Sequence, residues 1–360
     1  MHDPTKPHNG LPLLPPSVEI ETRAVLKKAI SARAALAELK AACHLLPNPA
    51  ILMRSIVLQE AKTSSEIENI FTTHDELYRA AGSKLPATDP HTKEVLRYQD
   101  AVWMGYHHVS VGEPINTPFI VRLCQALKQE PIDLRSRPGT QIASSKTGAV
   151  VYTPPVGREL IESLLANLCD YIGDRDDEAD PLVKLAVAHY QFEAIHPFPD
   201  GNGRTGRVLN ILQLVQKKLL EWPVLYLSRF FIENRAEYYA GLRRVTEEGA
   251  WEDWVLFILD AIETTSVATR YKIVQIQDAA IVAAERARAE VPKVFTKELI
   301  ELVFEQPYTR ISHLEERDLA KRQTASVYLQ ALESIGLLRA HKVGRDVIYV
   351  NDALVRILSA

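Results

Sequence analysis

The amino-acid sequence predicts a mostly α-helical protein that ends in a small domain of mixed helices and strands. Apolar residues recur at helical spacing through most of the chain up to residue 290. One short segment near residue 145 instead favours β-strands, and the residues after 292 alternate short helical and strand patterns. A length of 360 residues suits two or three domains and permits a large buried core.

The N-terminal part of the chain reads as an arm followed by a series of helices. Five prolines among the first 16 residues disfavour helix and predict a flexible arm. The segment Pro47-Asn48-Pro49 is expected to end the first helix. Apolar spacing predicts helices at residues 18–46, 51–70, 74–81, 93–109, 118–129, 159–172, 181–195, 204–220, 231–247 and 251–290.

Two segments favour strands. Residues 140–142 and 149–153 flank a polar turn at 144–148 and predict a β-hairpin within the helical body. After Pro292 the pattern changes to three short helices and then two strands around Gly344-Arg345-Asp346, which is the outline of a winged-helix domain. The helices are expected at 296–305, 311–316 and 321–334, and the strands at 337–340 and 347–350.

These patterns divide the chain into four parts and set its general class. The parts are the arm (1–16), an N-terminal helical region (17–110), a core (111–291) and the winged-helix-like domain (292–360). Basic residues number 42 and acidic ones 46, without a strong run of either sign, which disfavours a polybasic nucleic-acid coat protein. Three widely spaced cysteines in apolar patterns indicate buried thiols. With no apolar run long enough for a membrane span and no signal-peptide pattern, we expect a cytoplasmic protein with no membrane contact.

The most informative segment is HPFPDGNGRTGR, residues 196–207, between two helical patterns. Pro197 disfavours helical geometry at His196, so the imidazole is presented at a helix end, where it can act as a base. The Gly201-Asn202-Gly203 segment opens the next helix, whose free N–H groups form an anion site. The segment therefore joins a base to an anion cradle.

Charged residues of the same segment suit a nucleotide phosphate. Arg204 and Arg207 are three residues apart and both project near the helix start, where guanidinium groups hold phosphate oxygens. Asp200 supplies the carboxylate oxygen that Mg²⁺ prefers when it also binds phosphates. The glycines also fit G-x-G-x-x-G, but that dinucleotide fingerprint requires a preceding strand, and a helix precedes here.

These residues resemble the Fic motif, H-x-F-x-[DE]-G-N-G-R-x-x-R, with every fixed position matched. Segments 60–70, 190–195 and 234–239 are also similar to Fic proteins, so the resemblance covers about residues 12–290. Most Fic proteins transfer AMP from ATP to a Ser, Thr or Tyr hydroxyl of a protein and release pyrophosphate. The resemblance thus implies a Fic-type helical bundle with ATP as substrate and Mg²⁺ as cofactor.

The resemblance also implies a role for each residue of the motif. His196 is then the general base, Asp200 holds Mg²⁺, and Arg204 and Arg207 bind the β- and γ-phosphates. Glycine at position 203, where phosphate-transferring members carry lysine, favours AMP transfer. The ATP site implied in this way comprises Glu68, Gly201, Asn202, Gly203, Arg204, Thr205, Gly206, Arg207, Asn234, Tyr238 and Tyr239.

Two further assignments leave an alternative open. Asn234, Tyr238 and Tyr239 suit an adenine pocket, although tyrosines at helical spacing more often pack in a core. The hairpin corresponds to the Fic flap, which would hold an extended target by strand addition, or it is a purely structural hairpin. The flap residues are Thr140, Gln141, Ile142, Val150, Val151 and Tyr152.

An upstream segment resembles the inhibitory motif of Fic proteins, [ST]-x-x-x-E-[GN], with Ser64, Glu68 and Asn69 at its fixed positions. The resemblance implies that Glu68 pairs with Arg207 and so occupies the cation that should bind the γ-phosphate. The alternative is that Glu68 is an ordinary solvated carboxylate on a helix.

The sequence is compatible with more than one function and set of partners. The main interpretation is a protein adenylyltransferase whose target is another protein or this chain itself. The alternatives are a nucleotide-sensing DNA-binding regulator or a bifunctional enzyme that also removes AMP. The tail offers Lys321-Arg322-Gln323-Thr324 and Arg345 for contact with DNA or protein, and the sequence does not decide whether the chain forms a homodimer.

Overall fold

The computed structural model describes residues 3–44, 49–81, 89–144, 147–173, 179–343 and 346–359. The body is helical, and its elements run α1 Arg23–Cys43, α2 Pro49–Ile67, α3 His74–Ala81, α4 Pro90–Ser110, α5 Thr117–Lys128, β1 Ile142–Ala143, β2 Val150–Tyr152, α6 Arg158–Gly173, α7 Pro181–Ile195, α8 Asn202–Gln216, α9 Leu227–Glu233, α10 Arg235–Glu248 and α11 Trp251–Glu290. The tail continues as α12 Lys297–Glu305, β3 Tyr308–Thr309, α13 Ile311–Glu316, α14 Arg322–Ser334, β4 Arg339–Val343, β5 Asp346–Val350 and α15 Asp352–Ser359.

Side-chain caps fix where several helices begin. Asp89 accepts a hydrogen bond from the Thr92 N–H at 2.6 Å, and Asn116 accepts one from the Phe119 N–H at 2.9 Å. Asp180 caps α7 in the same way, and α4, α5 and α7 all carry proline in the first turn, where no N–H is needed. These local signals explain why the predicted starts lie within a few residues of the observed ones.

Helices α7 and α8 form the centre of the body. Every residue of α7 except Pro181 and Glu193 is buried, because its sequence is apolar almost all round. Helix α8 is also buried along most of its length and packs on α4, α5 and α7. The 40-residue helix α11 supports this centre from outside, packing along α1 and against α7 and α9. The motif at residues 196–207 therefore joins the two central helices.

The structure corrects several boundaries. Residues 231–247 were expected to form one helix, but α9 and α10 are separated at Asn234, whose backbone leaves helical geometry at φ −114° and ψ 36°. The helix expected to reach residue 220 ends at Gln216, and Lys218 then adopts a positive φ of 58°. Neither β3, which has two residues, nor the eight-residue helix α15 was predicted.

The N-terminal arm, expected to be flexible, packs against the body. The His8 N–H donates to the Thr153 carbonyl at 3.0 Å, and the Leu14 N–H donates to Asn167 Oδ1 at 2.7 Å. Leu11 and Leu14 are buried in the core. The prolines do exclude helix, but burial of the two leucine side chains stabilises the arm against the body.

The tail follows the predicted order of three helices and a hairpin, with two additions. Strand β3 joins β4 and β5 in an antiparallel sheet of order β3-β5-β4, and α15 follows the sheet. The turns at Ser145-Lys146 and Gly344-Arg345, and the expected helix stop at residues 45–48, lie outside the described residues.

The tail packs directly on the body across the predicted boundary at 292. Lys272 Nζ on α11 donates to the Leu358 carbonyl at 3.3 Å, and Gln59 Nε2 on α2 donates to the same carbonyl. The rings of Tyr78 and Tyr308 stack with centroids 6.0 Å apart. Buried residues of the tail join the same core cluster as those of the body. The chain changes direction where α11 ends at Glu290, but the body and the tail share one apolar core.

Cys43, Cys124 and Cys169 are all buried free thiols, as expected, and burial raises the thiol pKa to about 12, 11 and 11 respectively. Among the described residues, no helix combines the length and the apolar character that a membrane span requires.

Truncation after Val291 should destabilise the body, because parts of α2 and α11 now covered by α12 and α15 would become exposed. We expect the free energy of unfolding to fall by about 2 kcal/mol or more, the value of burying a single large apolar side chain. All four tryptophans precede residue 291, so their fluorescence in a urea titration reports on the body in both chains. An unchanged midpoint and slope for the truncated chain would show that the tail folds as an independent unit.

Candidate active site

The motif loop is held by its own side chains between α7 and α8. His196 adopts a left-handed conformation, φ 47° and ψ 59°, and its N–H donates to the Phe192 carbonyl at 3.0 Å, which ends α7. Asn202 accepts from the Phe198 N–H at 2.8 Å and donates to the Phe198 carbonyl at 2.7 Å. Gly201, at a φ of 85°, then opens α8. The Asn202 side-chain amide thus closes the loop through two hydrogen bonds. The backbone of Asn202 lies in the first turn of α8, where free N–H groups suit an anion.

Two small residues let α8 approach its neighbours. Thr205 Oγ1 donates to the Gly201 carbonyl at 2.8 Å, so this side chain supports the loop. A Cβ at Gly206 would lie 2.5 Å from Glu193 Oε1 and 3.0 Å from the Phe192 ring, distances that no real Cβ tolerates without movement. Glycine at position 206 therefore permits the close contact of α7 with α8.

The His196 imidazole is neutral at physiological pH. Its ring is partly exposed, but Nδ1 is buried and has no hydrogen-bond partner among the described residues. Burial, followed by the positive charge of Arg135, lowers the pKa of His196 to about 4. An unprotonated imidazole at the end of α7 can accept a proton directly.

Asp200 lies in a cluster of alternating charges. Its Oδ2 is 2.5 Å from Lys128 Nζ, which is also 3.5 Å from Glu94 Oε1. Arg204 Nη1 donates to the same Glu94 oxygen at 2.6 Å. Burial alone would raise the pKa of Asp200, but its hydrogen bond to Lys128 and the charges of Lys128 and Arg204 outweigh this and lower it. Asp200 is therefore ionised and beside two cations.

Arg207 is 1% exposed, and its guanidinium is hydrogen-bonded by Ser64 in α2 and by Glu68 just after the end of that helix. Its Nε donates to Ser64 Oγ at 2.7 Å, and its Nη2 donates to the Ser64 carbonyl and to Glu68 Oε1, both at 2.9 Å. Glu68 Oε1 also lies 2.4 Å from where a Cβ would stand on Gly203. The Glu68 carboxylate therefore lies over the first turn of α8, and glycine at 203 makes room for it.

The end of α2 is fixed in three ways. Asn69 adopts a φ of 62°, the left-handed conformation that asparagine and glycine accept most readily after a helix. Arg235 Nη2 donates to the Ile67 carbonyl at 2.8 Å. The carboxylate of Glu60, buried within α2, accepts from the Ser228 N–H at 2.9 Å and from the Tyr98 hydroxyl at 3.2 Å. Glu60 thereby binds α2 to α9 and α4, which sets the position of Ser64 and Glu68.

The three residues assigned to an adenine pocket have different surroundings. Tyr238 is 2% exposed, and its hydroxyl lies 2.9 Å from His189 Nε2 within a cluster of aromatic rings. Asn234 Nδ2 donates to the Phe230 carbonyl at 3.0 Å. Tyr239 is 43% exposed, with the Arg235 guanidinium 5.9 Å from its ring centre. Of the three, Tyr239 has a ring that remains accessible for stacking.

The predicted hairpin lies beside the motif. Ile142 pairs with Tyr152 and Ala143 with Val150, so the ladder is shorter than expected and omits Thr140 and Gln141. Val150 and Val151 keep partial exposure. The Tyr152 hydroxyl donates to the Ala194 carbonyl at 2.9 Å, which ties the hairpin to the end of α7 two residues before His196.

Four residues of the site were not predicted: Glu60, Glu94, Lys128 and Arg135. Each lies far from the motif in sequence, and of the four only Glu60 belongs to a segment, 60–70, that the sequence singled out. Arg135 Nε donates to the His196 carbonyl at 2.6 Å, so it contacts the motif loop directly. For Lys128 the only available signal was its place in the last turn of an amphipathic helix, which is common to many lysines.

Ser64→Ala should destabilise the protein by about 1–3 kcal/mol, because a buried guanidinium loses one hydrogen bond. The adjacent Ser65 provides a matched control, since its hydroxyl is buried without a hydrogen-bond partner among the described residues. Ser65→Ala should leave the free energy of unfolding unchanged or slightly higher. Urea titrations of both variants measure this difference, and equal losses would show that the Ser64 bond to Arg207 contributes nothing to stability.

Comparisons with known proteins match both ends of the chain. Residues 26–107 match the family model described as Fic/DOC family N-terminal, and residues 281–354 match that described as protein adenylyltransferase SoFic-like, C-terminal domain. Protein adenylyltransferase fic-1 of Caenorhabditis briggsae is 42% identical over 89 residues, which cover 24% of this chain and 16% of that protein. Protein adenylyltransferase Fic of Aedes aegypti is 38% identical over 85 residues, again 24% of this chain and 16% of that protein. The chain thus spans less than a fifth of these relatives.

Solved structures show the same fold over more of the chain. A Fic family protein from Desulfovibrio desulfuricans G20 aligns with a TM-score of 0.59 and 18% identity, covering 93% of this chain and 98% of that one. Fic-1 of C. elegans, residues 134–508, aligns with a TM-score of 0.54 and 23% identity over 71% of this chain and 74% of that one. The chain is thus similar to Fic proteins at both ends, carries an intact motif between them, and shares the fold of the solved Fic structures.

Proposed function

We propose that this chain is a protein adenylyltransferase, which transfers AMP from ATP to a Ser, Thr or Tyr hydroxyl of a protein and releases pyrophosphate. The observation that carries this proposal is the arrangement of three features. A neutral His196 precedes a loop that the Asn202 side chain closes by hydrogen bonds, and the loop leads into the start of α8, which bears two buried arginines. The names of the curated relatives support the same activity. A nucleotide sensor needs no general base, so the intact His196 favours an enzyme over a nucleotide-sensing DNA-binding regulator.

The reaction would proceed by direct displacement at phosphorus. His196 accepts the proton of the target hydroxyl, whose oxygen forms a bond to the α-phosphorus of ATP while the bond to the bridging β-phosphate oxygen breaks. The N–H groups at the start of α8 and the guanidinium of Arg204 stabilise the phosphate charge, and Arg207 is positioned for the γ-phosphate. Tyr239 offers its accessible ring to the adenine. Catalysis is then largely positioning and charge stabilisation.

The residues around Asp200 fit a magnesium ion held jointly with the nucleotide. Asp200 is ionised and its side chain is 61% exposed, so the carboxylate is accessible to an ion; Lys128 Nζ lies 2.5 Å from Oδ2 and would be displaced from that oxygen or leave the ion to Oδ1. Within the described ranges no three acidic, histidine or cysteine side chains group together as a metal site, so phosphate oxygens and water would supply the other ligands. When bound, Mg²⁺ would neutralise phosphate charge in the transition state.

We also propose that Glu68 inhibits the enzyme from within the chain. Its carboxylate satisfies Arg207 and lies above the first turn of α8, the two places that a triphosphate needs. ATP would have to displace Glu68 before its γ-phosphate could reach Arg207. Because α2 is held by buried Glu60 and by the tail, the inhibitory position is well fixed.

The target would contact the hairpin and the tail. An extended segment of a target protein, or of this chain itself, can add to the exposed edge of the two-stranded hairpin beside His196. In the tail, Lys321, Arg322, Gln323 and Thr324 are all exposed at the start of α14, which suits contact with a protein or with DNA. Removal of AMP at the same site would use the same His196 and phosphate cradle.

The proposal is tested by incubating the purified chain with a cell extract, Mg²⁺ and ATP labelled in the α-phosphate. Proteins that gain label together with the mass of AMP would support it. ATP labelled in the γ-phosphate serves as the matched control, because AMP transfer leaves that label in pyrophosphate. Label that comes only from the γ-phosphate would show phosphoryl transfer instead.

His196→Ala should abolish transfer while ATP still binds, because the base is lost and the phosphate cradle remains. Removal of a general base costs about 100-fold or more in rate, whereas we expect the Kd for ATP to change by less than about threefold. Calorimetry measures the binding and pyrophosphate release measures the rate. Transfer within about tenfold of the parent chain would exclude His196 as the base.

Glu68→Gln should increase transfer, because it removes the charge that holds Arg207. Charged hydrogen bonds contribute about 1.5–3 kcal/mol, so complete release corresponds to about 10- to 150-fold. Glu66→Gln is the matched control: Glu66 lies on the same helix but pairs with Lys62 at 2.5 Å. If the two variants are folded and equally active at saturating ATP, Glu68 is not inhibitory.

A further inference from the structure

Arg135 contacts the backbone on both sides of the catalytic base. It lies in the segment between α5 and β1 and is 4% exposed. Its Nε donates to the His196 carbonyl at 2.6 Å, and its Nη2 donates to the Ile195 carbonyl at 3.2 Å. Its own N–H donates to the Pro197 carbonyl at 2.9 Å. Three consecutive carbonyls, 195 to 197, are therefore fixed by one residue.

The same guanidinium also holds the hairpin. Its Nη2 donates to the carbonyl of Pro155 at 3.0 Å, three residues after β2 ends at Tyr152. The Tyr152 hydroxyl in turn donates to the Ala194 carbonyl at 2.9 Å. The side chains of Arg135 and Tyr152 thus both connect the hairpin region to the backbone beside His196.

Arg135 differs from the other buried arginines of the site because no carboxylate in the described part of the chain pairs with it. Arg204 binds Glu94 and Arg207 binds Glu68. The described residues place only carbonyl oxygens on Arg135, and its Nη1 is buried with no partner among them. Carbonyl dipoles satisfy hydrogen bonds but do not neutralise a net charge. A positive charge therefore persists beside the base.

We propose that Arg135 is a positioning residue: it fixes the loop that carries His196 relative to the hairpin, and its uncompensated positive charge disfavours protonation of the imidazole. This inference rests on the proposed role of His196 as general base. The charge acts in a site of low dielectric, where a second positive charge on the imidazole is costly. Arg135 itself does not contact the reacting atoms and acts through His196.

The other charges around His196 act in the opposite direction. Glu68 from the turn after α2, Asp200 from the motif loop and a backbone hydrogen bond of Glu193 in α7 all favour the imidazolium. From the hairpin, Tyr152 contributes a neutral hydroxyl whose pKa is raised by burial. Burial of the ring and the charge of Arg135 oppose these groups. Without Arg135, only the desolvation of the ring would oppose the acidic groups that raise the pKa of His196.

Arg135→Gln should raise the pKa of His196 by about one pH unit, because it removes the charge but keeps an amide that can donate to a carbonyl. Arg135→Lys retains the charge without the planar fork, so the pKa of His196 should stay within a few tenths of a unit. Arg137→Gln is the matched control: Arg137 lies two residues away and is exposed, so solvent screens its charge.

The pKa is measured directly by NMR titration of the full chain with labelled histidine, in which the His196 signal is the one absent from His196→Ala. An upward shift in Arg135→Gln alone supports the inference. Equal pKa values in Arg135→Gln and Arg137→Gln would overturn it. If Arg135→Gln does not fold, Arg135→Lys decides the question, because a rise of a full unit with the charge retained would also overturn it.

A second readout separates charge from packing. In the Glu68→Gln background, the acid limb of the rate of pyrophosphate release should move upward by about one pH unit in Arg135→Gln, while the Kd for ATP stays within about threefold. A role in packing alone would lower the plateau without moving the limb, and that result would contradict the inference. The NMR titration requires no turnover, so absence of transfer in every variant would count against the proposed function alone.

Discussion

The arrangement of the site depends on the burial of Arg207. A guanidinium that is 1% exposed requires hydrogen-bond partners and a compensating charge, and here they come from Ser64 near the end of α2 and from Glu68 just after the helix. The Glu68 carboxylate lies where a side chain at position 203 would stand, and Asn69, the next residue, has a positive φ. The partners of Arg207 lie about 140 residues earlier in sequence. The contact between Glu68 and Arg207 therefore depends on the packing of a large part of the fold.

Much of this fold is readable from the sequence because its signals are local. Apolar periodicity together with capping residues such as Asp89, Asn116 and Asp180 predicts the helices of the body to within a few residues. The motif is also local, since the base, the amide that closes the loop and the anion cradle all lie in residues 196–207. Errors arise where tertiary contacts override local preference. The proline-rich arm becomes ordered because Leu11 and Leu14 find a place in the core, and one predicted helix breaks at Asn234.

The residues that surround the motif were beyond sequence reasoning for a physical reason. Glu94, Lys128 and Arg135 are unremarkable polar positions on their own elements, and their importance appears only when packing brings them to Arg204, Asp200 and His196. The structure also distinguishes Tyr238 from Tyr239 by their burial, which their adjacent positions in the sequence do not reveal. The Tyr238 ring lies inside an aromatic cluster, whereas the Tyr239 ring remains accessible. A single sequence without such contacts identifies the chemistry but not its electrostatic environment.

Two buried arginines of the site are held in different ways. Arg207 is neutralised by Glu68, so its charge becomes available to a phosphate only when the carboxylate leaves. Arg135 donates to carbonyl oxygens, and its Nη1 has no partner among the described residues, so its charge is not neutralised and acts on His196. The first arrangement suits a switch, because one contact can be exchanged for another of the same kind. The second suits a constant setting, since no partner has to be displaced and the imidazole is ready whenever a nucleotide and a hydroxyl arrive.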